Sequence, residues 1–118
     1  MQFTESLKKN DDFKKVYQSG KSYANRYLVM YVLENETDRL RLGISVSKKV
    51  GNSVVRHRVK RLVKESYRLH EEVFNSGLDI VIVARRSAAA VGYHEVEGAL
   101  LHLAGLHGMR YPQGAVSK

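Results

Sequence analysis

Residues 39–69 read RLRLGISVSKKVGNSVVRHRVKRLVKESYRL, and the hydrophobic period of this stretch changes from two to about 3.6. Over residues 39–46, leucine, isoleucine and valine alternate with arginine, glycine and serine, which predicts a half-buried strand. After a polar loop, the valines and leucines recur at helical spacing, so residues 53–72 are predicted to form a long helix. Asn52 or Ser53 can cap its N-terminus.

Further elements are predicted on either side of this stretch. A capping residue, two acids and a final glycine predict a first helix over residues 10–19. Residues 26–33 are rich in aromatic and β-branched side chains and predict a strand, which we expect to pair as a hairpin with residues 39–46. The nearly continuous apolar run at residues 78–84 predicts a central strand, and residues 93–107 predict a last helix.

This order of elements indicates a single α+β domain. The predicted sandwich has the element order helix, strand, strand, helix, strand, helix. One further strand fits between the second strand and the second helix. We expect the helices to cover one face of the sheet and to leave the other face exposed. The 118 residues fit one domain, which we assign to residues 1–107, with residues 108–118 as a flexible C-terminal tail.

Positive charge is concentrated in one part of the chain. The 20 lysines and arginines against 12 acids give a net charge of +8, and residues 48–68 alone carry +7. The basic residues of this segment are Lys48, Lys49, Arg56, Arg58, Lys60, Arg61, Lys64 and Arg68. Like charges four residues apart on a helix repel by about 0.2–0.5 kcal/mol per pair, so a helix that carries several such pairs is expected to meet anions.

Nucleic acid is the anionic partner that this segment favours. A membrane surface is a weaker alternative, because the apolar side of the helix carries valine, leucine and serine rather than bulky interfacial residues. A DNA recognition helix stays possible. Against it, the lysine- and glycine-containing loop before the helix offers backbone N–H groups and positive charge to phosphates.

Aromatic side chains provide a second indication of nucleic-acid binding. Phe13 and Tyr17 lie one turn apart on the first predicted helix, and Tyr31 projects from the first predicted strand. If this helix packs beside the sheet, the three rings line a cleft near the basic helix, where unpaired bases can stack on them. The alternative is that each of these rings is an ordinary core residue.

Several classes of protein are excluded or disfavoured by composition. The chain has no cysteine, so disulfides, cysteine nucleophiles and thiolate zinc sites are excluded. It shows neither an apolar signal segment nor a membrane-length apolar run, and we expect a cytoplasmic protein that binds no membrane. The five histidines lack metal-site spacing, and Glu71, Glu72, Glu95 and Glu97 are interpreted as surface acids. The residues therefore favour an RNA-binding module over a free-standing enzyme, with no catalytic residue and no metal ligand of its own.

Residues 41–62, RLGISVSKKVGNSVVRHRVKRL, closely resemble the characteristic motif of the bacterial ribonuclease P protein family. The similarity extends to LKKNDDFKKVY at residues 7–17, to the G-x-S-x-A-N-R pattern at residues 20–26 and to the arginine pair at residues 85–86. The resemblance implies a protein subunit of an endoribonuclease whose catalyst is an RNA. In that family the RNA removes the 5′ leader from precursor tRNA, and it uses Mg²⁺ that is held mainly by RNA.

The resemblance also implies a topology and a set of binding residues. Its strand–helix–strand crossover is left-handed, against the usual preference for right-handed crossovers. Residues matching the family's RNA-subunit-binding helix are Arg56, Arg58, Lys60, Arg61, Lys64 and Arg68. Residues matching or adjoining its leader-binding cleft are Phe13, Tyr17, Tyr31, Ser45, Lys48, Lys49, Asn52, Arg85 and Arg86. His57 stands where the family usually has asparagine, so the role of His57 is left open. Lys64 stands where arginine is common.

Two other functions stay open at this stage. A ribosomal or general RNA-binding protein of similar fold would share the basic helix without a part in tRNA processing. A DNA-binding protein would use the same helix in a major groove.

Overall fold

A computed structural model describes residues 2–109 of the chain, which form one α+β domain. The strands and helices are β1 (Thr4–Ser6), α1 (Asn10–Ser19), β2 (Lys21–Ala24), β3 (Leu28–Glu34), β4 (Leu40–Ser45), α2 (Ser53–Leu69), β5 (Leu78–Ala84) and α3 (Tyr93–Leu106). Short 3₁₀ turns follow α2 at Glu71–Val73 and β5 at Arg86–Ala90. The bounds predicted for α1 and β5 are confirmed at both ends, and α2 ends three residues before its predicted end.

The five strands form one sheet in the order β1-β4-β5-β3-β2. β5 lies at the centre, parallel to β4 and antiparallel to β3, and α2 connects β4 to β5. The predicted hairpin between β3 and β4 is therefore wrong, because β5 is inserted between the two strands. The prediction of β5 as a central strand is confirmed, and its side chains at residues 80–82 are fully buried.

The insertion of β5 is stabilised at the turn that connects β3 to β4. Gly77, just before β5, donates its N–H to the carbonyl of Arg39 and accepts a hydrogen bond from the N–H of Asn35, both at 2.9 Å. Gly77 has a φ of +80°, and a Cβ there would lie 3.0 Å from the carbonyl oxygen of Thr37. The two hydrogen bonds hold Gly77 between the end of β3 and the start of β4, so that β5 begins between these strands. Only glycine adopts this positive φ readily.

Both faces of the sheet carry helices. α2 and α3 cover one face, where Met30 and Ile82 belong to the main core. α1 packs on the other face, against β3 and β5, with Val16 and Val81 fully buried in a second, smaller core. The expectation that all helices lie on one face is thus wrong, because the apolar side of α1 buries the alternate side chains of the central strands.

The two strands that the sequence analysis missed, β1 and β2, lie at the edges of the sheet. β1 is anchored at its start by Glu71, whose carboxylate accepts the N–H groups of Gln2 and Phe3 at 2.9 and 3.2 Å and the hydroxyl of Thr4. Glu71 is 6% exposed, so its interpretation as a surface acid is wrong. Burial raises the pKa of this carboxyl, but the three hydrogen bonds outweigh burial and the pKa lies below its ordinary value.

The C-terminal end of α3 closes over the main core. Gly108, with a φ of +82°, donates to the carbonyl of Gly105, and Met109 donates to that of Ala104, which is a Schellman arrangement. Met109 is buried, although the sequence analysis placed it in the tail. The rest of the predicted tail, residues 110–118, lies outside the described residues. Within residues 2–109, none of the helices has the length and apolar character needed to cross a bilayer.

Candidate nucleic-acid interface

An open groove of about 600 Å³ lies along the end of β4, between α1 and the beginning of α2. β1 pairs with β4 only as far as Leu42, so over residues 44–46 this edge of β4 has no strand neighbour among the described residues. The groove is lined by Asn10, Phe13 and Tyr17 of α1, by Ile44, Ser45 and Val46 along β4, and by Ser53, Arg56, His57 and Lys60 of α2.

The α1 side of the groove is an aromatic wall. The rings of Phe13 and Tyr17 lie 6.4 Å apart between centroids, and the ring of Tyr31 meets Tyr17 edge-on at 5.0 Å. Tyr17 is 39% exposed although it is a large aromatic residue. The predicted clustering of the three aromatic residues is confirmed. Only Phe13 and Tyr17 line the groove, whereas Tyr31 contacts Tyr17 from β3 without lining it.

The α2 side of the groove is cationic. Asn52, one of the two capping residues that the sequence offers, caps the helix by accepting the N–H of Val55 at 3.0 Å. The guanidinium of Arg56 donates from Nε to the carbonyl of Gly51 at 3.2 Å, and Lys60 follows one turn later. Aromatic side chains therefore face cationic side chains across the groove, an arrangement that suits a single strand of nucleic acid.

The remaining cations of α2 differ in their surroundings. Arg58 donates to the carbonyls of Val91 and Ala89 at 2.6 and 3.4 Å, and so fixes the turn that follows β5 to the helix. Arg68 forms a two-point ion pair with Glu65, and this hydrogen bonding lowers the pKa of the glutamate. Arg61 and Lys64 are exposed. Arg61 also lines a shallow depression beside Val54, which is 75% exposed.

Six of the nine predicted cleft residues lie outside the groove lining, namely Tyr31, Asn52, Lys48, Lys49, Arg85 and Arg86. Lys48 and Lys49 are exposed on the loop before α2. Arg85 and Arg86 line a separate pocket of about 420 Å³ together with Arg26 and Ser87. Two turns form this second pocket, and hydrogen bonds hold them together. Arg85 donates to the carbonyl of Asn25 at 2.7 Å, and Ser87 donates to the carbonyl of Arg26.

Sequence reasoning missed Asn10, Ile44, Val46 and Ser53 as groove residues, and Arg26 as a neighbour of the arginine pair. These positions depend on α1 lying on the second sheet face and on β3 starting next to the end of β5, neither of which follows from periodicity. His57 lines both the groove and the shallow depression beside it. Within residues 2–109, no group of three or more histidine, aspartate or glutamate side chains is placed to hold a metal ion.

Comparison with known proteins identifies the family of the chain. The Ribonuclease P family matches residues 1–106. The ribonuclease P protein component of Lachnoclostridium phytofermentans is 62% identical over 104 residues, which cover 88% of this chain and 90% of that protein. The corresponding protein of Alkaliphilus metalliredigens is 54% identical over 103 residues, covering 87% and 93%.

Solved structures show the same fold. The RNase P protein of Staphylococcus aureus superimposes with a TM-score of 0.81 at 38% identity, covering 88% of this chain and 95% of that one. The RNase P protein of Thermotoga maritima gives a TM-score of 0.77 at 35% identity, covering 85% and 94%. The chain thus belongs to the ribonuclease P protein component family and takes part in tRNA processing as a component of an endoribonuclease.

Proposed function

We propose that this chain binds the RNA subunit of ribonuclease P through α2 and the 5′ leader of precursor tRNA in the groove. The observation that carries this proposal is the pairing of an aromatic wall with a cationic wall across the open edge of β4. A single strand can stack its bases on Phe13 and Tyr17 while its phosphates meet Arg56 and Lys60. Mature tRNA, which lacks the leader, would leave the groove empty.

The outward face of α2 is assigned to the RNA subunit. Arg61 and Lys64 are exposed there, and Arg61 lies beside the exposed side chain of Val54. Guanidinium groups match phosphate oxygens with two parallel hydrogen bonds, and ammonium groups act as compact charges. Arg58 and Arg68 take part less directly, because their guanidinium groups already hold carbonyls of the chain and Glu65 respectively.

The chemistry of cleavage is assigned to the RNA subunit, with Mg²⁺ held mainly by RNA. The groove offers guanidinium, ammonium, imidazole, hydroxyl and aromatic groups, which suit phosphates and bases. Mg²⁺ prefers carboxylate and phosphate oxygens, and here RNA phosphates would supply them. This chain would contribute by neutralising phosphates near the cleavage site and by fixing the leader.

Cleavage of precursor tRNA by the cognate RNA subunit at low Mg²⁺ tests this function. Adding the chain should raise the cleavage rate and lower the Mg²⁺ concentration required. No improvement would contradict the proposal and favour a general RNA-binding protein. Tighter binding of duplex DNA than of leader-bearing tRNA would instead support the DNA-binding alternative.

A further inference from the structure

Gly43 occupies an unusual position for a glycine. It lies inside β4, where its register partner is Val81 of the central strand, and it is buried. Glycine weakens a strand interior because it has high conformational freedom in the unfolded chain and no side chain to pack. A buried strand glycine therefore commonly marks a place where another group approaches the backbone closely.

That group is the ring of Phe13. A Cβ built on Gly43 would lie 2.5 Å from Cζ and 2.6 Å from Cε1 of this ring, well inside van der Waals contact. It would also lie 3.4 Å from Cβ of Leu7, an ordinary contact distance. The tip of the phenyl ring thus fills the space that any other residue at position 43 would need.

The depth at which Phe13 sits affects the whole aromatic wall. Phe13 contacts Tyr17, and both line the groove. Ser45, two residues beyond Gly43 on the same face of β4, also lines the groove. A side chain at position 43 would push the ring of Phe13 away from the strand and towards the space between the aromatic wall and Ser45.

We propose that Gly43 is a positioning residue for leader recognition, which seats Phe13 at the depth where an unpaired base can stack on it. This inference rests on the proposed function of the groove. It concerns affinity for single-stranded leader, and it predicts that Gly43 has no direct contact with RNA. A purely structural glycine would instead affect stability and both forms of tRNA alike.

Gly43→Ala, the substitution that tests this role, should leave the fold intact. The atoms that would collide belong to the free end of a half-exposed side chain rather than to backbone. Phe13 can therefore move outward without opening the main core, which lies on the other face of the sheet. Gly43→Ala should melt close to the parent temperature.

The test is the affinity of the reconstituted holoenzyme for precursor tRNA and for mature tRNA. Gly43→Ala should weaken precursor binding by about fivefold or more, the equivalent of losing one base stack, and leave mature tRNA binding unchanged. Gly98→Ala is the matched control, because a Cβ at this exposed position of α3 meets nothing within 4 Å. Equal losses for both tRNAs, or no loss, would overturn the inference.

A double variant separates positioning from general damage. If Gly43 acts through Phe13, then adding Gly43→Ala to Phe13→Ala should cause no further loss of precursor affinity. An additive loss would contradict the positioning role. This comparison also serves if Gly43→Ala alone does not fold, because Phe13→Ala removes the ring that fills the space.

The same set of variants tells the two proposals apart. If Phe13→Ala leaves the preference for precursor over mature tRNA unchanged, then the leader groove itself is wrong, and the role of Gly43 is overturned with it. If Phe13→Ala reduces this preference but Gly43→Ala does not, then the groove stands and only the positioning role of Gly43 is overturned.

Discussion

At the scale of single residues, the buried carboxylate of Glu71 ties the N-terminal strand to the end of α2. It accepts hydrogen bonds from the N–H groups of Gln2 and Phe3, and from Thr4, whose hydroxyl also contacts that of the buried Tyr67. Because these partners favour the charged form, the pKa of Glu71 in the folded protein lies below its ordinary value of about 4.3. Its contribution to stability is complete above the ordinary pKa and is lost as the pH falls through the lower folded pKa.

We expect Glu71→Gln to destabilise the protein at neutral pH by about 1–3 kcal/mol, because the amide cannot satisfy all three donors as a carboxylate does. The loss should shrink as the pH falls below the ordinary glutamate pKa, because the unfolded parent chain then binds a proton that the folded carboxylate resists. It should reach its minimum once the pH has also passed the lower folded pKa. Urea unfolding of both proteins at pH 7 and at pH 3 measures the difference. The neighbouring, exposed Glu72→Gln is the control, and equal effects of the two changes would contradict the role of Glu71.

A second buried carboxylate, Asp79, shows what a single sequence does not reveal. Asp79 is 3% exposed and accepts both prongs of the Arg41 guanidinium, at 2.8 and 2.6 Å, and the amide of Asn35. This hydrogen bonding raises the pKa of Arg41. Arg41 was expected only to lie on the polar side of β4. Its partner is 38 residues away, and only the parallel pairing of β4 with β5 brings the two together.

At the scale of elements, the predictions that succeeded are those carried by local periodicity. α1, α2 and β5 each show their apolar pattern within one stretch of sequence, and α2 also has its capping asparagine there, so their bounds could be predicted closely. The capping role predicted for the residue at the start of α1 is wrong, because the N-cap position is Lys9, which makes no side-chain capping hydrogen bond. β1 and β2 have three and four residues and mostly exposed side chains, so they show no apolar period. They form because longer strands offer them an edge, which is information that lies elsewhere in the chain.

The pairing of strands is the element-scale feature that the sequence analysis predicted wrongly. A five-residue connection between two antiparallel strands usually indicates a hairpin, and residues 35–39 form such a connection. In the structure β3 and β4 each pair with β5 instead of with one another, because the alternate side chains of β5 fill the cores on both faces of the sheet. Periodicity shows which face a side chain occupies but not which strand lies beside it.

Replacing different arginines of α2 by alanine should affect either RNA binding or the stability of the fold. Arg61 is exposed, so Arg61→Ala should leave stability nearly unchanged, weaken binding of the RNA subunit and reduce the salt dependence by about one phosphate contact. Arg58→Ala should destabilise the fold by about 1–3 kcal/mol, because it removes the donors to the carbonyls of Val91 and Ala89. Binding isotherms over a series of salt concentrations and thermal melts measure the two effects.

Arg39→Ala is the matched control for Arg61→Ala. Arg39 is also an exposed arginine, but it pairs with Glu5 at the far end of β4 from the groove. Its loss removes the same charge and should leave the salt dependence of RNA binding unchanged. If Arg39→Ala and Arg61→Ala weaken binding equally, then net charge rather than the surface of α2 is responsible.

At the scale of the whole molecule, the charge is divided unevenly between a basic helix with its entry loop and a nearly neutral scaffold. Residues 48–68 carry +7 of the total +8. Arg56, Lys60, Lys64 and Arg68 follow one another at four-residue spacing, and only Glu65 opposes them locally. Anions that bind this surface relieve the repulsion of the folded state and should therefore stabilise it.

Sulfate or phosphate should accordingly raise the melting temperature of the free protein. Chloride at the same ionic strength is the control, because it screens charge without the geometry of a phosphate group. We expect the shift to be smaller in a variant that lacks Arg56 and Lys60. No shift with sulfate, or an equal shift with chloride, would contradict a specific effect of anions on the folded state.

The position of β5 also has a consequence for how the molecule is made. Within residues 2–109, β5 is the last strand along the chain and the central one in the sheet. A nascent chain that has emerged only as far as residue 77 holds the strand pairs β1–β4 and β2–β3, but not the strand that joins the two pairs. Contacts between distant parts of the chain dominate such a fold, and these slow the search for the native state. The two walls of the groove can therefore take up their relative positions only after synthesis has passed Ala84.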